Sequence, residues 1–306
     1  MAETFNRQVW EATALLQRLE AISGTIFDTL SYKIDTKDKE AVNVPVITSN
    51  RRAQRTGDTI ITPLDKAIIK IPTDKKSYFG VPIPDDDIHA TDVDIVDAYS
   101  KIGMSEVVKD IEFGVTEIMN NGAEAGNRLQ FTELETGATG FTLEILLSAQ
   151  EKFDTLEIPL DERYLRVTPK HRRLLIGMKD PDTNEKLWIK TEKNDDVAKS
   201  KGIIAEIMGF KVQVSNRICK VKTNGLFDSA VPGNNTQSVS FFYSGSSTAI
   251  GVDEEISVRN EYDVITEGGQ ENVVYKQYWG AEVLRGEEIL AVRDNTPVVP
   301  PPAPPL

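Results

Sequence analysis

The sequence predicts an α+β protein, because patterns typical of helices and patterns typical of strands dominate different parts of the chain. Apolar residues at helical spacing are prominent before about residue 155, and short strand patterns separated by turns dominate from about residue 158 to 293. The length of 306 residues corresponds to about two domains and is ample for a real core.

Composition and charge exclude several classes of protein. The chain carries 48 acidic and 35 basic residues, a net charge of −13, whereas proteins that grip nucleic acid usually present a basic face to the phosphates. It has no run of about 18 apolar residues that could span a membrane, and its N-terminus lacks the features of a signal peptide. The single cysteine, Cys219, excludes an internal disulfide framework, fits a reducing cytoplasm and is expected to be buried.

An amphipathic helix is predicted at the N-terminus, where apolar residues recur at 4-3-4-3 spacing before Gly24. Its apolar stripe consists of Phe5, Val9, Ala12, Leu16 and Leu19. We expect this helix to dock on the rest of the chain. Residues 33–57 are polar and predicted to be weakly structured, and residues 58–62 are predicted to form a short strand.

Two strand patterns, "KAIIKI" at 66–71 and "YFGVPI" at 78–83, predict the arms of a β-hairpin. Its tip is Asp74-Lys75-Lys76. Alternation places six apolar side chains on one face: Ala67, Ile69, Ile71, Phe79, Val81 and Ile83. Because an isolated two-stranded hairpin is marginally stable in water, we expect this face to lie on another surface.

A long helix is predicted that Asp92 or Asp94 can cap. Its apolar stripe is formed by Met104, Val107, Val108, Ile111, Val115 and Ile118, and Asn120-Asn121-Gly122 ends it. A shorter helix is predicted at about 141–153. A strand then leads into a further helix through Thr168-Pro169.

The stretch "IIAEIMGFKVQVSNRI" at 203–218 predicts a short apolar helix that runs into Gly209-Phe210 and then a strand. Phe210, Val212 and Val214 would bury one side of a sheet. Residues 296–306 hold six of the fifteen prolines and are typical of a polyproline-type tail.

No catalytic or metal motif emerges from the candidate sites. The stretch 85–97 gathers six aspartates and His89, which could hold a divalent cation, but acids also collect at helix starts because of the helix dipole. The stretch from Asp180 to Glu185 begins like a calcium-binding loop. Glu185 and Thr191, however, stand where such a loop needs Gly and Glu. His171, among Lys170, Arg172 and Arg173, is expected to be a surface residue. We therefore predict no enzyme, no metal and no cofactor.

Four stretches carry a family resemblance in the expected order along the chain. They are "GDTIITPLDK" before the long helix, "IPLDERYLRVTPKHRRLLI" at 158–176, "IMGFKVQVSNRI" with its Gly-Phe-x-Val-x-x-Ser-Asn pattern, and "YKQYWGAEVLRGEEILAVR" at 275–293. Together they resemble the major capsid (coat) proteins of tailed bacteriophages, which have the Hong Kong 97 fold. Residues 184–202 carry no sharp marker of that family.

The resemblance implies a layout for the chain. Residues 1–50 would be an N-terminal arm and 51–91 an extended loop. Residues 92–158 and 278–295 would form the peripheral domain with its spine helix, and 159–277 the axial domain. Residues 296–306 would be the proline-rich C-terminal tail.

The resemblance also implies a function and partners. Copies would assemble as pentamers and hexamers into an icosahedral virion shell around double-stranded DNA, in the host cytoplasm, with scaffolding and portal proteins and no membrane. In this family the extended loop lies on the adjacent subunit, so the expected intersubunit contacts are Asp74, Lys75, Lys76, Phe79 and Val81. Three alternatives stay open: an encapsulin-like compartment shell, a metal-dependent hydrolase using the 85–97 acids, and a tail or adhesion protein.

Overall fold

The computed structural model describes residues 13–14, 16–17, 25–35, 41–47, 66–84, 95–178, 189–190, 203–253, 257–263 and 270–295. The chain divides into two compact units. Unit 1 comprises Met1–Ala21, Leu30–Ile111 and Thr248–Leu284, and unit 2 comprises Ile22–Thr29, Glu112–Ser247 and Arg285–Leu306. The division into arm, extended loop, peripheral and axial domains stays a prediction.

The structure gives the bounds of four α-helices: α1 (Ile95–Gly122), α2 (Phe131–Leu134), α3 (Leu143–Thr155) and α4 (Pro169–Ile176). The predicted long helix is confirmed: α1 has 28 residues, ends at Gly122 and buries the predicted stripe from Met104 to Val115. The predicted start of α4 is also confirmed, since the side chain of Thr168 accepts a hydrogen bond from the His171 backbone and Pro169 occupies the first turn. No helix in the described segments is long and apolar enough to span a membrane.

The strands, in chain order, are β1 (Tyr32–Asp35), β2 (Ala41–Ile47), β3 (Lys66–Pro72), β4 (Lys75–Pro84), β5 (Arg128–Gln130), β6 (Arg163–Val167), β7 (Ile189–Lys190), β8 (Ile203–Ile207), β9 (Phe210–Val214), β10 (Lys220–Val221), β11 (Gln237–Ser244), β12 (Thr248–Val252), β13 (Ser257–Asp263), β14 (Gln270–Val283) and β15 (Ile289–Arg293). Helices and mixed sheets together confirm the α+β class.

Unit 1 is organised around the 14-residue strand β14. It pairs antiparallel with β4 along one edge and with β13 and β12 along the other, and β1 adds parallel to β12. A separate ribbon of β2 and β3 packs through Val44 and Ile71 on Ala249 of β12. Gly280 permits this approach, because a Cβ there would overlap the carbonyl oxygen of Pro72 at the end of β3.

The predicted hairpin of residues 66–83 is wrong in its pairing, although both strands exist. β3 pairs with β2, with Val44 opposite Ile69, whereas β4 pairs with β14, with Phe79 opposite Tyr275. Two strand patterns that are close in the sequence are predicted to pair because a short turn can join them. Here more distant strands provide longer ladders for both.

Residues 33–57 were expected to be weakly structured, and this prediction is wrong for the part that the structure describes. β1 and β2 occupy 32–35 and 41–47. Pro45 lies between two of the alternating valines of β2 and weakens the strand pattern. It is accommodated because β2 belongs to a two-stranded ribbon.

The N-terminal helix is described at residues 13–14 and 16–17, which are helical. Ala14 is buried, but Leu16 is 63% exposed. The placement of Leu16 in a buried stripe is therefore wrong. The other residues of that stripe, the predicted strand 58–62, the acids 85–94, the turn 180–185 and the tail 296–306 lie outside the described residues.

Unit 2 contains a mixed sheet in the order β5-β15-β11-β6-β9-β8-β7, with β10 paired to β11. The pairs β6–β9 and β15–β5 are parallel, and the other pairs are antiparallel. One face carries the apolar core, to which α2, α3 and α4 contribute Phe131, Leu146, Phe153 and Leu175. The sheet contributes Leu165, Val167, Phe210, Val212, Phe242, Leu290 and Val292.

Residues 203–207 form strand β8, so the predicted short helix is wrong. β8 and β9 are joined by Met208 and Gly209, with φ angles of 49° and 78°, and Ile207 is paired with Phe210. Positive φ at both central residues marks a type I′ turn, which suits the twist of a two-residue hairpin. An apolar run of five residues does not by itself separate a buried strand from a helix.

Candidate functional site

The predicted contact residues lie at the start of β4 and along it. Asp74 and Lys76 are exposed, Lys75 and Phe79 are half-buried, and Val81 is 7% exposed. Lys75 Nζ lies 5.2 Å from the ring centroid of Trp279, its partner on β14. The structure thus groups Asp74, Lys75 and Lys76 at one end of β4 and places Val81 in the interior of unit 1.

The apolar face of β4 is covered by the chain itself. On that face Ser77 donates a 2.5 Å hydrogen bond to Asp110 of α1 and accepts one of 2.9 Å from Trp279 Nε1. Tyr275 lies so close to Gly103 of α1 that an added Cβ would overlap its ring. This face is therefore covered within unit 1. An intersubunit role for Asp74, Lys75, Lys76, Phe79 and Val81 stays a prediction.

The opposite face of β4 and β14 is cationic and aromatic. Lys76 stands opposite Tyr278, and Tyr78 stands opposite Lys276, so all four side chains share one face of the sheet. Lys276 Nζ lies 4.1 Å from the ring centroid of Tyr278, and Lys76 Nζ lies 5.2 Å from that of Tyr78. Both distances are within the range of cation–π attraction.

His171 is buried, so its prediction as a surface residue is wrong. Its ring meets Phe131 and Phe141 edge to face, with centroids 5.3 and 5.6 Å away. Nδ1 lies 2.7 Å from Ser240 Oγ, and Nε2 lies 3.1 Å from Asp294 Oδ1. The neighbouring Lys and Arg residues suggested an exposed position, but the histidine is on the side of α4 that faces the sheet.

The contacts from Ser240 through His171 to Asp294 have the arrangement of a nucleophile, a base and an orienting carboxylate. Ser240 and His171 are both 0% exposed, which closes the hydroxyl to any substrate. Burial acts to raise the pKa of Asp294, but hydrogen bonds from His171 and Lys170 outweigh it and hold that pKa at about 2. The ionised carboxylate joins the end of β15 to α4. Its role is therefore structural.

A buried ion pair lies on the second face of the unit 2 sheet. Glu112 of α1 pairs with Arg166 of β6, and both side chains are 1% exposed. Arg217 adds a second cation 3.2 Å from Glu112, and Arg166 donates a 2.6 Å hydrogen bond to Gln213. Burial lowers the pKa of Arg166 to about 10, so the guanidinium keeps its charge at neutral pH. The pair joins the second half of α1 to the sheet.

The sequence patterns did not predict this ion pair. β6 has the sequence "RYLRV", in which Leu165 and Val167 enter the apolar core and Arg166 faces the other way. An arginine between two apolar residues of a predicted strand is the signal that could have been used, because such a charge requires a partner when it is buried. The identity of that partner, 54 residues earlier in the chain, is not visible in the sequence pattern.

The metal and cysteine predictions have different outcomes. Among the described residues, no group of three or more His, Cys, Asp or Glu side chains is placed to hold a metal ion. Of the acidic side chains in 85–97, Asp97 is described and accepts a 2.6 Å hydrogen bond from Gln17. The absence of a metal at the others stays a prediction.

The burial of Cys219 is confirmed, and it raises the pKa of the thiol to about 12.

The chain is similar to known proteins in structure but not in sequence. No protein-family model and no curated protein matches the chain. The capsid of Ralstonia phage GP4 matches with a TM-score of 0.60 and 10% identity, over 90% of this chain and 89% of that one. The capsid of cyanophage P-SCSP1u matches with a TM-score of 0.56 and 16% identity, again over 90% and 89%.

A third similar structure is the virus-like particle from Pyrococcus furiosus. Its TM-score is 0.52 at 12% identity, over 93% of this chain and 98% of that one. Together these likenesses show the fold: the chain has the Hong Kong 97-type capsid fold, as its four sequence segments predicted.

Proposed function

We propose that the protein is the structural major capsid protein of a tailed bacteriophage and is not an enzyme. Copies assemble as pentamers and hexamers into the icosahedral shell that encloses the double-stranded DNA genome. The observation that carries this proposal is the likeness to capsids of tailed phages over about nine-tenths of the chain.

The proposal extends to partners and location. The chain binds other copies of itself, together with scaffolding and portal proteins, and assembles in the host cytoplasm into the virion capsid. Packaged DNA lies near it without tight specific binding, because a net charge of −13 repels phosphate. The arm, extended-loop, peripheral and axial segments belong to the same proposal.

The test is whether the protein forms closed shells. The chain would be expressed alone and with candidate scaffolding proteins, and the products examined by sedimentation and negative-stain microscopy. We expect closed or partly closed icosahedral particles. A strictly monomeric chain under every condition, including in the presence of phage proteins, would contradict the proposal.

An encapsulin-like compartment shell is the second candidate, and the likeness to the Pyrococcus furiosus particle favours it. Both candidates predict shells, so the contents decide between them. A cargo enzyme that copurifies with the particles would indicate a compartment, whereas a requirement for a scaffold and portal would indicate a phage capsid.

A further inference from the structure

One exposed surface of unit 1 has unusual chemistry for so acidic a chain. We call it the Lys–Tyr patch: Lys76, Tyr78, Lys276 and Tyr278, on the face of β4 and β14 that points away from α1. Tyr78 is 68% exposed and Tyr278 is 40% exposed. The β2–β3 ribbon covers the neighbouring part of this face near Gly280, and Lys76 and Tyr78 are exposed beside it.

The patch holds its two positive charges next to tyrosine rings. Each ammonium group lies over a tyrosine ring, and each lysine also has a tyrosine directly opposite on the neighbouring strand. A lysine held in this way loses less conformational freedom when it meets an anion than a free lysine does. The patch is therefore suited to binding carboxylates next to an apolar group.

Unit 2 carries a surface of the opposite character on α3. Glu144, Leu147, Glu151 and Asp154 are spaced 3-4-3 and so follow one side of the helix. All four are exposed, Leu147 to 40%, and a shallow depression lies around Leu147, Glu151 and Asp154. Asp154 is paired with Arg163, while Glu144 and Glu151 have no ion pair among the described residues. We call these four residues the acidic face of α3.

We propose that the Lys–Tyr patch of one copy binds the acidic face of α3 on a second copy. The two lysines meet Glu144 and Glu151, and Leu147 packs on the exposed ring of Tyr78. Two different surfaces in contact make a heterologous interface, the kind that generates rings when the rotation closes. The proposal rests on the self-assembly proposed above and names the surfaces that carry part of it.

Charge and geometry favour another copy over nucleic acid as the partner. Aromatic side chains that bind single strands offer their ring faces to bases, whereas each tyrosine here has an ammonium group over its ring. The chain as a whole is also strongly acidic, which opposes binding to a polyanion.

Charge exchange tests the contact. Lys76→Glu with Lys276→Glu, or Glu144→Lys with Glu151→Lys, is expected to lower shell yield about tenfold, because like charges then face each other. All four changes in one chain are expected to restore the yield to within about twofold. The control is Lys211→Glu with Lys220→Glu, which reverses the same number of charges on unit 2, one of them on a lysine 5.8 Å from the Tyr164 ring centroid.

Cysteine cross-linking tests the geometry. With Cys219→Ser as background, Tyr78→Cys and Leu147→Cys in one chain are expected to give a ladder of disulfide-linked multimers from assembled particles on non-reducing gels. Normal shell yield from both charge-reversal variants, failure of the four-change chain to recover, or an absent ladder would overturn the inference while leaving the shell function intact. Wild-type protein that never forms shells would overturn both.

Discussion

At the residue scale, the buried charges of unit 2 depend closely on one another. Glu112 and Arg166 are taken out of water together, which is costly, and their attraction offsets that cost only while both are present. Arg217 and Gln213 supply further hydrogen bonds to the pair. A change at one member therefore leaves an uncompensated charge in the interior.

We expect Glu112→Gln to lower the free energy of unfolding of the unassembled subunit by about 3–5 kcal/mol, since Arg166 keeps its charge without an anionic partner. Denaturant unfolding would measure this. The control is Glu106→Gln, which removes the partly exposed pair with Lys109 and should cost about 0–1 kcal/mol. Equal costs for the two variants would show that the buried pair has no special weight.

Asp294 is expected to make the free energy of unfolding depend on pH. Its pKa is about 2 in the folded state and 3.8 when unperturbed, so the unfolded chain binds the proton more readily. The stabilisation is present above about pH 4 and is lost as pH falls towards 2. Because Asp294 is partly exposed, we expect about 1–2 kcal/mol.

Unfolding measured from pH 6 to pH 2 checks this expectation. Asp294→Asn should be less stable at pH 6, and the gap between it and the wild type should narrow towards pH 2. A gap that stays constant with pH would mean that His171 and Lys170 do not depress the pKa of Asp294.

At the element scale, the β8–β9 hairpin shows how a turn sets the register of a sheet. Its two turn residues both have positive φ, and Leu160 Cδ2 lies 3.0 Å from where a Cβ on Gly209 would be.

We expect Gly209→Ala to destabilise the subunit by about 1–2 kcal/mol through backbone strain and this contact. Gly126→Ala, with negative φ and open space around it, should be nearly neutral. Thermal unfolding of both variants would compare them, and an unaffected Gly209→Ala would argue against the type I′ turn.

Sequence patterns predicted the elements better than their partners. The stripe of α1, the cap at Thr168 and the strands around residues 66–84 were recognisable because each depends on local spacing. The pairing of β4 with β14 and the burial of His171 depend on residues about 120–200 positions away, which no local period records. The Lys–Tyr patch was missed for the same reason, since it exists only when two distant strands meet in register.

At the scale of the whole molecule, the predicted contact at Asp74, Lys75 and Lys76 concerns assembly and not folding. Lys76 and Asp74 are exposed in a chain of net charge −13, so acidic surfaces of other copies are abundant partners. One such contact is worth only about 0.2–1 kcal/mol, but it recurs at every subunit of a shell.

We expect Lys75→Glu with Lys76→Glu to reduce shell yield or shell stability while leaving the circular dichroism of the free subunit unchanged. Sedimentation measures the yield, and Lys101→Glu with Lys220→Glu supplies the matched change in charge. Normal shells from the Lys75 and Lys76 variant would exclude the tip from assembly. A misfolded subunit would show instead that these residues stabilise unit 1 itself.

The burial of Cys219 gives the protein an internal reporter. It is the single thiol in 306 residues, its backbone N–H bonds to Thr116 Oγ1 of α1, and its pKa of about 12 keeps it protonated and unreactive. A thiol reagent can therefore modify the protein only when the sheet and helix around Cys219 separate. We expect labelling to be slow in the native subunit and to accelerate in Glu112→Gln, because the population of the open form rises exponentially with the stability that is lost. Fast labelling of the native subunit would contradict the buried position. In assembled particles, the same rate would show whether incorporation into a shell restrains local opening, without an engineered cysteine.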